Sequence, residues 1–176
     1  MEIKRIQENK TDYMDLLLLG DEQENMINKY LYRGELYALY DGDLKTVCVV
    51  TKEDEFFPEP HKLLNHSNNK IYEIKNIATY EKFQGRGYGK IMIQYIIENY
   101  ENKCHTLLVG TGESKRTISF YKKCGFKYSH TEKDFFVKNY DHEIIEEGNQ
   151  LVDMIYLKIE FNQSTTQPYF PTALGA

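Results

Sequence analysis

Seven consecutive residues, Gln84, Gly85, Arg86, Gly87, Tyr88, Gly89 and Lys90, set three glycines at alternate positions among a glutamine, an arginine and a lysine. Glycine leaves peptide N–H groups uncovered and tolerates positive φ, so such a run can fold into a concave nest of amides. An apolar stripe follows at helical spacing: Tyr88, Ile91, Met92, Tyr95 and Ile96. The first turn of a helix has N–H groups without intrahelical partners, and the helix dipole adds positive charge there. Loop and helix start together would hold a phosphate, with Gln84, Arg86 and Lys90 at the rim. A plain turn between two elements would read the same way. Two nucleotide motifs fail on spacing. Ile91, not a hydroxyl residue, follows Lys90, and the pattern is G-x-G-x-G rather than the dinucleotide-binding G-x-G-x-x-G.

The elements around this loop can be read in order. Residues 2–7 suit a strand; 11–20 suit a helix capped by Thr11 or Asp12 and stopped by Gly20; 24–32 suit a second helix. "ELYALYDGDLKTVCVVT" predicts a hairpin turning at Asp-Gly. Residues 52–70 are charged and irregular, either a solvated insertion or a working loop with a short helix at His61–Asn65. A strand over 71–79 precedes the glycine run, a helix over 88–100 follows, and 106–111 suits a short buried strand. "SKRTISFYKKCGF" predicts a helix stopped by Gly125. Lys127–Val137 and Gln150–Phe161 predict two last strands, joined by the acidic segment "DHEIIEEGNQLVD". The outcome is an α/β (α+β) protein with a mixed sheet, forming one domain over 1–162 and a loose tail over 163–176.

Residues Gln84–Gly89, "QGRGYG", match every fixed position of the Q/R-x-x-G-x-G/A signature of the GNAT superfamily of N-acetyltransferases, which the chain resembles. "TISFYKKCGFKY" is similar to the family's second signature, in the right order and spacing, and the likeness spans roughly residues 1–160. It implies a mostly antiparallel central sheet, splayed at the cofactor cleft, and acetyl-CoA as acyl donor to a primary amine. It gives Gln84, Gly85, Arg86, Gly87, Tyr88, Gly89 and Lys90 to the CoA diphosphate, and the backbone of Ile77, Ala78 and Thr79 to the pantetheine arm. One of those amides would stabilise an oxyanion.

The same resemblance makes Tyr121 the acid that protonates the departing thiolate, a phenol near pKa ~10 serving a thiol near ~8.5. As a residue alone, Tyr121 could equally be a packed aromatic. Glu73 lies where some family members carry a general base for the ammonium acceptor; alternation places it on one face with Lys75, Ile77 and Thr79, where pairing with Lys75 is the other reading. Ser114 stands where many relatives have Asn, and it can cap the helix while offering its hydroxyl to CoA. Lys115 and Arg116 are either solvated or within reach of the 3′-phosphate. A homodimer is compatible with the family habit.

Composition sets the remaining bounds. Net charge is −5, with 27 acidic and 22 basic residues, which argues against nucleic acid and suits a cationic small-molecule amine. Three cysteines at irregular spacing predict no disulfide framework, and the scattered Cys and His residues show no zinc-ligand spacing, so no metal is expected. The N-terminus lacks a signal-peptide apolar core and "LLLL" is too short to span a bilayer, so the expectation is a cytoplasmic protein without membrane contact.

Overall fold

The computed structural model describes residues 1–53 and 70–162. Its elements are β1 (Glu2–Ile6), α1 (Met14–Leu17), α2 (Glu24–Leu31), β2 (Glu35–Asp41), β3 (Asp43–Lys52), β4 (Ile71–Thr79), α3 (Tyr88–Tyr100), β5 (Thr106–Thr111), α4 (Lys115–Lys123), β6 (Lys127–Glu132), α5 (Phe135–Asn139), β7 (Ile145–Glu146), β8 (Asn149–Gln150) and β9 (Met154–Glu160). Seven strands form one sheet in the order β1-β2-β3-β4-β5-β9-β6, and β7 pairs only with β8. Every neighbouring pair in the large sheet is antiparallel except β4–β5.

Period-two alternation divides the sheet's apolar residues between two cores. Tyr37, Leu39, Cys48, Val50 and Ile74 face α3 and α4, where they meet Met92, Ile93, Ile96, Tyr100 and Tyr121. Leu36, Ala38, Val47, Val49 and Ala78 face α1 and α2, against Leu16, Leu17, Ile27 and Leu31. The predicted hairpin turns at Gly42, at φ 74°.

Several elements differ from the sequence reading. The first helix is a 3-10 turn (Lys10–Tyr13) running into the short α1. Asn9, left-handed at φ 51°, precedes it, and neither Thr11 nor Asp12 caps it. The buried stripe of α3 is Met92, Ile93, Ile96 and Tyr100, with Ile91 at the surface. The strand predicted to Val137 stops at Glu132, because Asp153 draws the chain into a turn. Its carboxylate accepts from the Asp134 N–H at 2.9 Å and pairs with the Lys133 ammonium, and α5 starts beyond. The strand predicted from Gln150 starts at Met154, since Gln150 belongs to the β7–β8 hairpin. The short helix predicted at His61–Asn65 and the 163–176 tail lie outside the described residues.

Candidate active site

The parallel ladder between β4 and β5 covers only Ile71–Ile74 against Thr106–Val109. Beyond that rung β4 stays paired to β3, with Ile77 opposite Cys48, Ala78 opposite Val47 and Thr79 opposite Thr46. On the other side, β5 leaves to pair with β9 as far as Thr111. The β5-facing edge of β4 is thus left open from Lys75 to Thr79, a ready edge for an extended, amide-bearing ligand.

That edge leads into the glycine run. A 3-10 turn at Glu81–Phe83 reverses the chain, and Gln84 folds back so that its Nε2 donates to Thr79 O at 3.1 Å. Gly85 and Gly87 adopt φ of 74° and 90°, and a Cβ at either would meet no protein atom within 4 Å. The space beside both glycines is therefore open. Gly87 is the N-cap of the 13-residue α3 and makes no side-chain capping bond. From Gly85 to Lys90 no backbone N–H makes a hydrogen bond within the described residues; the first amide in the helix ladder is Ile91, bonded to Gly87 O at 3.0 Å. Six unbonded amides at the positive end of a helix are an arrangement that can hold an anion. Tyr88 is held by its hydroxyl, which donates to Asp41 Oδ2 at 2.8 Å.

Tyr121 reaches this region from α4. Ser114 caps that helix, its Oγ accepting from the Thr117 N–H at 3.2 Å. Gly125, at φ 100°, ends it. Tyr121 is 5% exposed and packs edge-on against Phe120 and Phe126. Its hydroxyl makes no hydrogen bond among the described residues. Buried tyrosines nearby do find partners: Tyr37 and Tyr100 donate to Glu35 Oε2 at 2.6 and 2.9 Å. Burial pushes the Tyr121 phenol well above its ordinary value, reinforced by Cys48, Cys124 and Glu146, so it keeps its proton through the neutral range. Tyr121 and Cys48 share the core on the α3 side, and Ile77, opposite Cys48 in the ladder, packs against that core.

Glu73 occupies the other face of the sheet. A β-bulge, in which Lys75 is the extra residue between the Val49↔Asn76 and Val50↔Ile74 pairs, resets the alternation of β4. The predicted face shared by Glu73, Ile77 and Thr79 does not survive it. Ile77 packs toward α3, whereas Asn76 donates to Leu17 O on α1 at 2.9 Å. Glu73, opposite Thr51, lies on the α1–α2 side, 6% exposed, and its Oε1 is 3.0 Å from Lys75 Nζ. Burial raises its carboxyl above the usual 4.5, Lys75 opposes the shift, and nearby Glu53 adds to it. Glu53 is itself held by Arg33 at 2.7 Å.

Glu73 and Tyr121 therefore lie on opposite faces of the sheet, Glu73 opposite Leu108 in the last paired stretch of β4 and β5. The glycine loop and the open β4 edge lie together with Tyr121, while the Ser114 hydroxyl is turned to its own helix and to Glu147 Oε2 at 3.3 Å. Lys115 and Arg116 stand at the same helix start, with Arg116 Nε 3.3 Å from Glu147.

The sequence reading missed two groups. Tyr156 lies on the Glu73 side, stacked on His130 at 4.6 Å and raised by burial and by Glu73. The Tyr140 hydroxyl donates to Asp21 Oδ1 at 3.0 Å, tying the α1–α2 connection to the end of α5 as one wall of that side. Neither carries a local signal. Both depend on strands distant in sequence being neighbours. Among the described residues no helix is long and apolar enough to cross a membrane.

Comparison with known proteins agrees with this geometry. The family model for the acetyltransferase (GNAT) domain matches residues 33–128. An uncharacterised N-acetyltransferase of Bacillus subtilis, YvbK, is 34% identical over 157 residues, covering 88% of this chain and 92% of that protein. The crystal structure of a Bacillus subtilis acetyltransferase in complex with CoA superposes with a TM-score of 0.75 at 34% identity, covering 91% of this chain and 98% of the other. A GNAT family acetyltransferase from Elizabethkingia anophelis with acetyl-CoA bound gives a TM-score of 0.77 at 32% identity, covering 91% and 97%. On sequence and on fold alike, the chain belongs to the GNAT acetyltransferase family.

Proposed function

We propose that this protein moves the acetyl group of acetyl-CoA to the primary amine of a small-molecule acceptor, by direct attack with both substrates bound, and that residues 1–162 act as one catalytic unit. The observation that carries the reading is the run of six unbonded amides, Gly85 to Lys90, at the start of α3. The relatives solved with CoA and acetyl-CoA support the same donor here.

The residues present fit that donor. The open space beside Gly85 and Gly87 leaves room for a diphosphate, and Arg86 and Lys90 add charge beside it. The free edge at Ile77, Ala78 and Thr79 offers peptide groups to the pantetheine arm. When bound, acetyl-CoA supplies an acyl carbon activated as a thioester. The protein's own groups manage the protons. Tyr121 holds one on a hydroxyl that makes no hydrogen bond among the described residues and keeps some solvent access, and it is the acid. Glu73, whose raised carboxyl gives it a proton affinity closer to neutrality, is the base for an acceptor that arrives as an ammonium. Ser114 contributes by setting the start of the helix that carries Tyr121; a direct contact to the donor would require its hydroxyl to leave Glu147.

Thiol release from acetyl-CoA, followed over a panel of primary amines, tests the reading. Release that depends on the amine is the expected result. Binding of acetyl-CoA without release for any amine would make the protein a CoA-binding module rather than a transferase.

A further inference from the structure

The β7–β8 hairpin turns at Glu147 and Gly148, at φ 52° and 79°. Leu151, just after it, fills the space a side chain at Gly112 would need, since a Cβ there would lie 2.4 Å from Leu151 Cδ1. The hairpin is thereby seated on the connection between β5 and α4, and it lays two carboxylates along α4. Glu147 is compensated, with Arg116 Nε 3.3 Å from its Oε1. Glu146 is not. Its Oε1 accepts from Thr117 Oγ1 at 3.1 Å, and no basic side chain pairs with it among the described residues. A hydroxyl orients a carboxylate without cancelling its charge. Thr117 and Tyr121 are four residues apart on α4 and so share a helix face. A held, uncompensated carboxylate thus stands one turn from the Tyr121 phenol, whose hydroxyl keeps some solvent access and makes no hydrogen bond among the described residues.

We infer that Glu146 is a specificity-determining residue: its carboxylate, oriented by Thr117 one turn from Tyr121, selects acceptor amines that carry a second positive charge. The inference rests on the acetyl-transfer reading and deepens it. Glu53, Glu73 and Asp153 already have Arg33, Lys75 and Lys133, so they offer an incoming cation less. A fixed charge near the protein surface is worth roughly tenfold in selection between a cationic and a neutral acceptor.

Three amines of equal chain length separate the outcomes: 1,6-diaminohexane, hexylamine and 6-aminohexanoate, each assayed with the full chain by thiol release from acetyl-CoA. The expected order of kcat/KM is diamine, then hexylamine, then aminohexanoate, with about tenfold between the first two. Glu146→Gln, which can still accept from Thr117, erases the gap between diamine and hexylamine through KM while kcat holds. Glu146→Lys reverses the order of diamine and aminohexanoate, and thermal melting shows both variants folded. Equal use of all three amines by the wild type, a preference that survives Glu146→Gln, or a loss that falls on kcat would each overturn the inference while leaving acetyl transfer intact. Absence of release with all three would overturn this inference, while the wider amine panel decides the transfer reading.

Discussion

Tyr121 and Glu73 were legible as candidates in unequal degree. Tyr121 sits in a helix with a strong local pattern, so its address follows from "FYKKCGF"; the burial of its ring in the α3-side core does not. If it is the acid, Tyr121→Phe keeps the ring and its packing on Phe126 but removes the proton. We expect kcat to fall about 10²-fold or more with acetyl-CoA affinity unchanged, measured by steady-state thiol release beside calorimetry. An unchanged kcat would return Tyr121 to the core. Glu73 carries a pH prediction of two signs. Its native pKa lies above the ordinary 4.5, so the native state binds the proton more tightly than the unfolded chain. The stability it contributes is therefore present below the ordinary value and lost as pH rises through the raised one. The basic form grows over the same window, so kcat/KM should rise there. Denaturant titrations should show the wild type losing stability relative to Glu73→Gln as pH increases. A constant difference would mean that its titration is not coupled to folding.

Among the elements, several defined by local signals matched the reading closely, the capped helix over 11–20 being an exception, and those defined by long-range contacts did not. The Asp-Gly hairpin, the 88–100 helix and the Gly125 stop arise from backbone preferences within a few residues. The bulge at Lys75 arises from how β4 pairs with β3, so the alternation that grouped Glu73 with Thr79 could not reveal it. The turn after Glu132 depends on Asp153, 20 residues beyond Lys133. The β7–β8 hairpin depends on two glycines: Gly148 in its turn and Gly112 beneath Leu151. Gly112→Ala would drive a methyl group into Leu151, costing about 1–3 kcal/mol. We expect a lower melting temperature for that variant and partial recovery in Gly112→Ala/Leu151→Ala, where the space is restored. Additive losses in the double variant would show that this contact does not seat the hairpin.

For the molecule as a whole, two cores pack on the faces of one sheet, β4 stays paired to β3 while β5 departs toward β9, and the opening between β4 and β5 is a consequence of that topology. The sequence motifs announce what lines the opening but not that it exists, because a splay belongs to no single segment. The candidate groups lie around it: the open edge of β4, the amides at the start of α3 and Tyr121 on one face of the sheet, with Glu73 on the other face beside the last paired rung. The central claim is that the six amides from Gly85 to Lys90 grip the donor's diphosphate. Hydrogen exchange of the peptide covering residues 84–91, with and without saturating acetyl-CoA, tests it most directly. Strong slowing of exchange at Gly85–Lys90 on addition of acetyl-CoA is the predicted result; exchange unchanged in that peptide while acetyl-CoA is demonstrably bound would contradict the account.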